Sequence, residues 1–386
     1  MPYVTLILAG ISLLIWVVLT FFWGGFWQVR AFDGGARAPS KPQQWPNVVA
    51  VVPARNEAET IARCVESLFR QEYGGELHVV VADDHSEDGT GALAQSAAEG
   101  AGAKDQLTVV RAAALQSDWT GKLWALQQGV DKAAAFSPEY LWFTDADIVH
   151  APDTLQGLVT WAEDQRRDLT SLMVLLQAKT LPERLLIPAF LYFFLMLYPP
   201  RWIAMENART AGAAGGCILL RREALERIGG IAAIRAEVID DCALARAVKR
   251  SGGRIWMGLT RKSVSLRAYT RFREIRDLIA RTAFTQLRYS AVALLGTLLG
   301  LLLTYLVPVV LTFHPQTMVW RLALAAWALM TLTYLPTVRF YRLSPLWAPL
   351  LPLAVVFYLY ATCLSAVRYW IGRGGQWKGR AQAPAR

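Results

Sequence analysis

The chain changes texture twice along its length. It opens on an apolar run, Val4 to Trp23, with 20 consecutive uncharged residues, long enough to cross a bilayer. Near its end three further apolar runs follow one another: Ser290 to Phe313, Leu322 to Val338 between Arg321 and Arg339, and Trp347 to Val367 with Pro349 and Pro352 inside it. Between these ends the pattern is that of a globular domain. Asn47 to Val52 reads as a strand, Glu57 to Gln71 as a helix with Ile61, Val65, Leu68 and Phe69 on one face, and His78 to Ala82 as a second strand. Gly91 to Glu99 reads as a helix, Leu107 to Arg111 as a third strand and Leu141 to Phe143 as a fourth. Strands alternating with helices predict an α/β domain with a mostly parallel sheet, whose ligands gather at the carboxyl ends of its strands.

The boundaries that follow are a transmembrane helix over 1–23, a linker over 24–46, a catalytic domain over 47–289, a membrane region over 290–370 and a basic tail over 371–386. A cleaved signal peptide is disfavoured for the first run, because no basic segment precedes it. Arg30, Arg37 and Lys41 in the Gly/Pro/Ser-rich linker predict that it faces the cytoplasm. Three later spans would then place Arg368, Arg373, Lys378 and Arg380 outside, so the Pro-interrupted last run or the short middle one is expected to be re-entrant or interfacial. A fifth apolar stretch, Leu185 to Ala204, carries Pro188, Pro199 and Pro200. It reads either as a helix in the membrane interface, where it would help receive a lipid, or as a buried core helix.

Composition sharpens this picture. The chain is 54% hydrophobic and 18% charged, and its net charge is +10. A basic chain suits nucleic acid or anionic lipid. The cations cluster beside the apolar runs and no nucleic-acid motif is visible, so the membrane is the expected partner and nucleic acid is not. Cys64, Cys217, Cys242 and Cys363 are far apart and form no CxxC pair, which argues against a thiolate metal cluster or a disulfide framework.

The candidate chemistry sits where strands end. Pro53 to Glu57 (PARNE) follows the first strand, and Arg55 with the helix-start amides would suit a nucleotide or its phosphates. Ala82 to Thr90 (ADDHSEDGT) follows the second; a carboxylate there can accept from a pyrimidine N–H, and its hydroxyls can bind ribose. Lys122 follows Gly121 at the start of a helix over Leu123 to Val130, near where a diphosphate would lie. Thr144 to Asp147 (TDAD) ends the fourth strand, and alternation would place Asp145 and Asp147 on one side. Two like charges there call for a hard divalent cation, Mg2+ or Mn2+, bridging to a diphosphate. Asp240 and Asp241 open a helix running to Arg250, and one of them would serve as general base. Gly215 and Gly216 precede a further apolar strand and would let a substrate approach closely.

In this order the motifs resemble family 2 glycosyltransferases of GT-A fold over roughly residues 47 to 290. VVPARNE, DDHSEDGT, FTDADI, IDDCALA and ARTAFTQLRYS are most similar to the bacterial hopene-associated glycosyltransferases. The resemblance implies a GT-A, Rossmann-like domain flanked by transmembrane helices, facing the cytoplasm from a bacterial inner membrane. Pro53, Arg55 and Glu57 would line the nucleotide pocket and Asp84 would bind the base, uracil by preference. Asp147 would bind the metal, Asp145 would serve the metal or the sugar-diphosphate, and Asp241 would be the base, with Asp240 replacing the usual Glu. The Gln-x-x-Arg-Trp motif of processive members is only partly matched by Thr285 to Tyr289, which favours a single transfer; Arg288 would still reach the diphosphate. Trp377 to Arg380 resembles a tail motif of membrane-bound members. The implied activity is inverting transfer of a sugar from a nucleotide-sugar to a lipid acceptor of hopanoid or polyprenoid type. A nucleotidyltransferase would carry a Gly-rich loop where PARNE stands. A non-catalytic scaffold is the remaining alternative, opposed by the intact acidic motifs.

Overall fold

The computed structural model describes residues 2–32, 42, 44–372, 376–377 and 380–381. Arg37, Lys41, Arg373 and Lys378, on which part of the charge reading rested, lie outside the described residues. The chain divides into two compact units. A helical unit comprises Met1–Arg30, Gln177–Trp202 and Tyr269–Gly374, and an α/β unit comprises Ala31–Leu176, Ile203–Ala268 and Gly375–Arg386.

In the helical unit, four helices are long and apolar enough to cross a membrane: Tyr3–Phe22, Ala291–Leu311, Thr317–Phe340 and Pro345–Trp370. Val4, Leu14, Val292 and Leu353 on them are more than half exposed, as side chains facing lipid rather than a protein core would be. The middle one of the last three is not short. Its helix extends through Arg321 and Arg339, reaching 24 residues. In the second, Leu302–Leu306 makes a wider turn ahead of Pro308, which has no N–H for the carbonyl of Thr304. The Trp16 indole N–H donates to that carbonyl at 2.8 Å, and the Ser12 hydroxyl donates to Leu303 O at 3.0 Å. The Pro-containing stretch forms a helix, Leu181–Leu197, then a short turn of helix, Pro200–Ala204. The longer helix buries Leu186, Tyr192 and Leu195 among the apolar helices, with Tyr192 Oη 2.9 Å from Thr333 Oγ1 and the Tyr358 hydroxyl donating to Leu186 O at 3.0 Å.

The α/β unit is built on one eight-stranded sheet. Its strands are β1 (Val48–Ala54), β2 (Leu77–Asp83), β3 (Leu107–Arg111), β4 (Tyr140–Phe143), β5 (Ile148–His150), β6 (Leu169–Leu175), β7 (Ile218–Arg221) and β8 (Ile255–Ser265). Their order is β3-β2-β1-β4-β7-β6-β8-β5. The first four run parallel, β7 lies antiparallel between β4 and β6, β6 and β8 are parallel, and β5 closes the edge antiparallel to β8. The sheet is therefore mixed, and its parallel half is the part that the alternating pattern foretold. All seven residues of β1 are buried, as a strand covered on both faces requires. Part of the linker is tied in as well: the Phe32 N–H donates to Leu259 O at 2.6 Å, and its ring packs edge-on against Trp161 and Trp256.

The helix Gly121–Ala133 packs on β1 and β2, and Gly129 makes this approach possible. A Cβ there would sit 2.4 Å from Val51 Cγ1. Gly129→Ala gains helix propensity of about 1 kcal/mol but overpacks a stiff β-branched neighbour, which typically costs about 1–3 kcal/mol. We expect a net loss, read as a lower melting temperature of the purified protein.

Candidate active site

The first two polar loops hold each other. After β1, Asn56 takes a left-handed conformation (φ 50°), and the next helix begins only at Ile61, four residues later than its spacing suggests. The intervening amides are occupied: Asn56 N–H donates to Ser86 Oγ, Glu57 N–H to Thr90 Oγ1 and Ala58 N–H to Asp88 Oδ2, each at 2.9 Å. In return the Glu87 N–H donates to Asn56 Oδ1 at 3.0 Å. The helix-start amides expected to face phosphates, and the hydroxyls expected to face ribose, thus serve loop-to-loop bonds. Asp88, with the Thr90 hydroxyl donating to it at 2.5 Å, has its pKa held low: these hydrogen bonds outweigh the opposing effect of burial. Asp84 is fully buried behind Arg55, whose Nη1 donates to Asp84 O at 2.5 Å and lies 3.5 Å from Asp84 Oδ2.

The acidic residues downstream fall into two linked groups. β4 ends at Phe143, so Asp145 and Asp147 stand in the turn that leads to β5 and not on an extended strand. Their carboxylates consequently have different partners, correcting the expectation from alternation. Asp145 Oδ1 lies 2.9 Å from Lys122 Nζ, and the same ammonium is 3.1 Å from Asp240 Oδ2. Burial works against the charge of Lys122, but Asp145 and Asp240 outweigh it and hold its pKa above the usual lysine range. Beside them, Asp241 Oδ2 accepts from Gly215 N–H at 2.9 Å and Oδ1 from Cys242 N–H at 2.7 Å. Burial first, then the like charge of Asp240, push the Asp241 carboxyl up to about 6, against the pull of Lys122 and the two amides. A half-buried carboxylate that titrates near neutrality is suited to accept a proton. Pro53, Leu123, Phe143 and Leu244 wall this pocket.

Asp147 belongs to the second group. Its Oδ2 accepts from the Ser265 hydroxyl at 2.9 Å and lies 3.6 Å from Arg267 Nε. Arg267 Nη2 in turn donates to both oxygens of Glu57, at 3.0 and 3.3 Å. Burial and the neighbouring Asp145 raise the pKa of Asp147, while Arg267 and Ser265 oppose the shift. The donor set fits a divalent cation: two like-charged carboxylates lie close enough that one raises the pKa of the other. Cations such as Mg2+ need only one or two carboxylates when substrate phosphates supply further oxygens. Among the described residues no group of three or more His, Cys, Asp or Glu side chains forms a metal site made of protein alone.

Gly216 and Arg288 are the remaining sequence-predicted site residues. A Cβ on Gly216 would meet Val174 Cγ2 at 3.0 Å and Ile148 at 3.5 Å, so its bareness serves packing. Gly215 is the glycine that faces Lys122 and Asp241, at 3.4 and 3.6 Å from its Cβ position. Arg288 falls in the helical unit, at a left-handed position (φ 52°) just beyond the helix Phe272–Gln286. Arg267 and Ser265 were not anticipated. Ser265 ends β8, a strand that the pattern did not reveal, and Arg267 lies two residues beyond it, one of several arginines in its stretch of sequence.

Beneath the turn lies His150, 3% exposed, whose pKa burial lowers to about 3. Its Nε2 is 2.8 Å from Thr144 Oγ1 and its Nδ1 is 2.8 Å from Ser263 Oγ. The Thr144 hydroxyl has Gly216 O at 3.0 Å and Asp145 O at 3.4 Å as acceptors; donating to either carbonyl, its oxygen accepts from His150 Nε2–H. The neutral ring then accepts at Nδ1 from the Ser263 hydroxyl.

Residues 49–229 match the family described as Glycosyl transferase family 2. Among solved structures, the chain is similar to a mannosyltransferase from Pyrobaculum calidifontis in complex with GDP-Man and Mn2+. The TM-score is 0.56 at 19% identity, covering 95% of this chain and 99% of that one. A lower similarity, TM-score 0.41 at 17% identity, relates 62% of this chain to 40% of S. aureus TarS. Mannosyl-3-phosphoglycerate synthase from Rubrobacter xylanophilus gives TM-score 0.40 at 17% identity over 68% of this chain and 83% of that one. Among curated proteins none matches. The α/β unit therefore has the GT-A fold, and apolar helices flank it in the sequence.

Replacing His150 by Leu removes the donor to Thr144 and the acceptor for Ser263. We expect a loss of about 1–3 kcal/mol in stability, seen as a lower melting temperature, and partial recovery in His150→Gln.

Proposed function

We propose that this protein is a membrane-bound inverting glycosyltransferase that moves a sugar from a nucleotide-sugar, a UDP-sugar by resemblance, to a lipid acceptor. The observation that carries the reading is the Lys122, Asp145, Asp240 and Asp241 cluster beside the end of β4, where burial and Asp240 push the Asp241 carboxyl up to about 6. Asp241 takes the proton of an acceptor hydroxyl as that oxygen attacks the anomeric carbon from the face opposite the leaving diphosphate. The Gly215 and Cys242 amides orient the carboxylate for this step. Lys122, already shared between two acids, neutralises the diphosphate beside Asp145. Asp147, with Asp145, would hold Mg2+ or Mn2+, which supplies positive charge to the leaving diphosphate; the similar mannosyltransferase is a complex with Mn2+. Glu57, Arg55 and Pro53 border the nucleotide, and Asp84 meets its base once Arg55 moves aside.

A lipid acceptor, hopanoid or polyprenoid by resemblance, is supported by the four apolar helices. An inner-membrane location with the catalytic unit in the cytoplasm is supported by the basic residues that flank those helices in the sequence. The test is to incubate the purified protein with Mn2+, a panel of nucleotide-sugars and a bacterial lipid extract, and to identify any glycosylated lipid by mass spectrometry.

Asp241→Asn is expected to lower the transfer rate by roughly 10²–10⁴-fold; an undiminished rate would rule out Asp241 as base. Because the base works ionised, kcat/KM rises with pH through about 6 and levels off above it. Asp240→Asn removes the like charge that raises this pKa, so the acidic limb of the profile moves to lower pH.

A further inference from the structure

The segment that ends β8 wraps Asp147 at three points. Leu266 N–H donates to Asp147 O at 2.7 Å, the Ser265 hydroxyl donates to Asp147 Oδ2 at 2.9 Å, and Arg267 Nε lies 3.6 Å from the same oxygen. Two contacts of the Arg267 guanidinium are unequal. With Glu57 it makes charge-assisted hydrogen bonds to both carboxylate oxygens, at 3.0 and 3.3 Å. With Asp147 its distance exceeds that of a hydrogen bond, leaving an electrostatic contact. The guanidinium is thus anchored on Glu57 and leans on Asp147. The Arg267 side chain is 37% exposed and the Asp147 side chain 15% exposed.

We infer that Arg267 is a resident counter-ion, holding Asp147 while no cation is bound and yielding that contact when a divalent cation arrives; this rests on the reading of Asp147 as a cation ligand. Asp145 has its own monovalent partner in Lys122 at 2.9 Å. Each acid of the TDAD turn therefore carries a local positive charge, and the pair remains compact despite its mutual repulsion. A cation binding at Asp147 competes with Arg267, whereas the Glu57 anchor keeps the released guanidinium nearby. Arg267 accordingly lowers the affinity of the empty site for metal alone. Nucleotide-free protein stays unloaded until a donor brings its own oxygens and charge.

The test is titration of the purified full-length protein with Mn2+ in the absence of nucleotide, with free Mn2+ followed by electron paramagnetic resonance. Arg267→Gln is expected to bind Mn2+ roughly three- to tenfold more tightly than wild type, the range expected when a partly exposed ion pair no longer competes. Arg267→Lys should stay near wild type. Arg267→Met carries the same expectation as Arg267→Gln should the latter fail to fold, with the melting temperature as the check. If Arg267→Gln and Arg267→Met bind Mn2+ no more tightly than wild type, while Asp147→Asn weakens binding, the counter-ion role is overturned and the ligand reading stands. If Asp147→Asn leaves Mn2+ affinity unchanged in both the wild-type and Arg267→Gln backgrounds, the ligand reading fails and takes the inference with it.

Discussion

The active-site region depends on one ammonium. Lys122 is the second residue of its helix, where the macrodipole favours anions and opposes a cation. It sits there because Asp145 and Asp240 approach from two other elements, the turn after β4 and the start of the helix Asp240–Arg250. Without that charge, Asp145, Asp240 and Asp241 would repel one another, by roughly 3–4 kcal/mol for a pair about 4–5 Å apart at an effective dielectric near 20. With it, loop, helix start and the Gly215 turn converge on one point, and a carboxylate can be held at a proton affinity useful near neutral pH.

The upstream loops follow a different logic. Their polar side chains are directed chiefly at one another's amides, as Ser86, Thr90 and Asp88 on Asn56, Glu57 and Ala58 illustrate. Such bonds give two loops at adjacent strand ends one shared shape. On the proposed function, what they offer a nucleotide is that shape together with Arg55 and Glu57, since the amides are already occupied. A dense polar motif can therefore be structural in most of its letters and functional in only a few.

This is also where the sequence could and could not be read. The parallel strands β1 to β4 were legible because each is a short apolar run closed by a polar loop, and Leu107–Arg111 emerged with the expected bounds. The acidic clusters were legible from their residue types. Of the other half of the sheet only β7 was, as the apolar strand after Gly215 and Gly216; β5 has only three residues, and β6 pairs with partners far along the chain. Arg267 remained invisible for the same reason: its place opposite Glu57, 210 residues away, is a property of sheet order and not of local pattern. Gly215 and Gly216 show the limit at finer scale. Adjacent and chemically identical, they are separated only by which of them meets Val174 and which meets Lys122.

The buried imidazole of His150 has a further meaning. Because it stays neutral at any pH above about 3, protons in its chain are ordered in one direction, from Ser263 through the ring to Thr144 and on to Gly216 O or Asp145 O. That polarity joins β8, β5, the turn carrying Asp145 and the loop before β7 into a single oriented wire, with no reversal open to it while Thr144 donates to either carbonyl. A frame wired in this way is insensitive to acidification over the interval in which Asp241 gains or loses its proton. On the proposed function, the carboxylate that serves as base can change its state without a change in the shape of the floor beneath it.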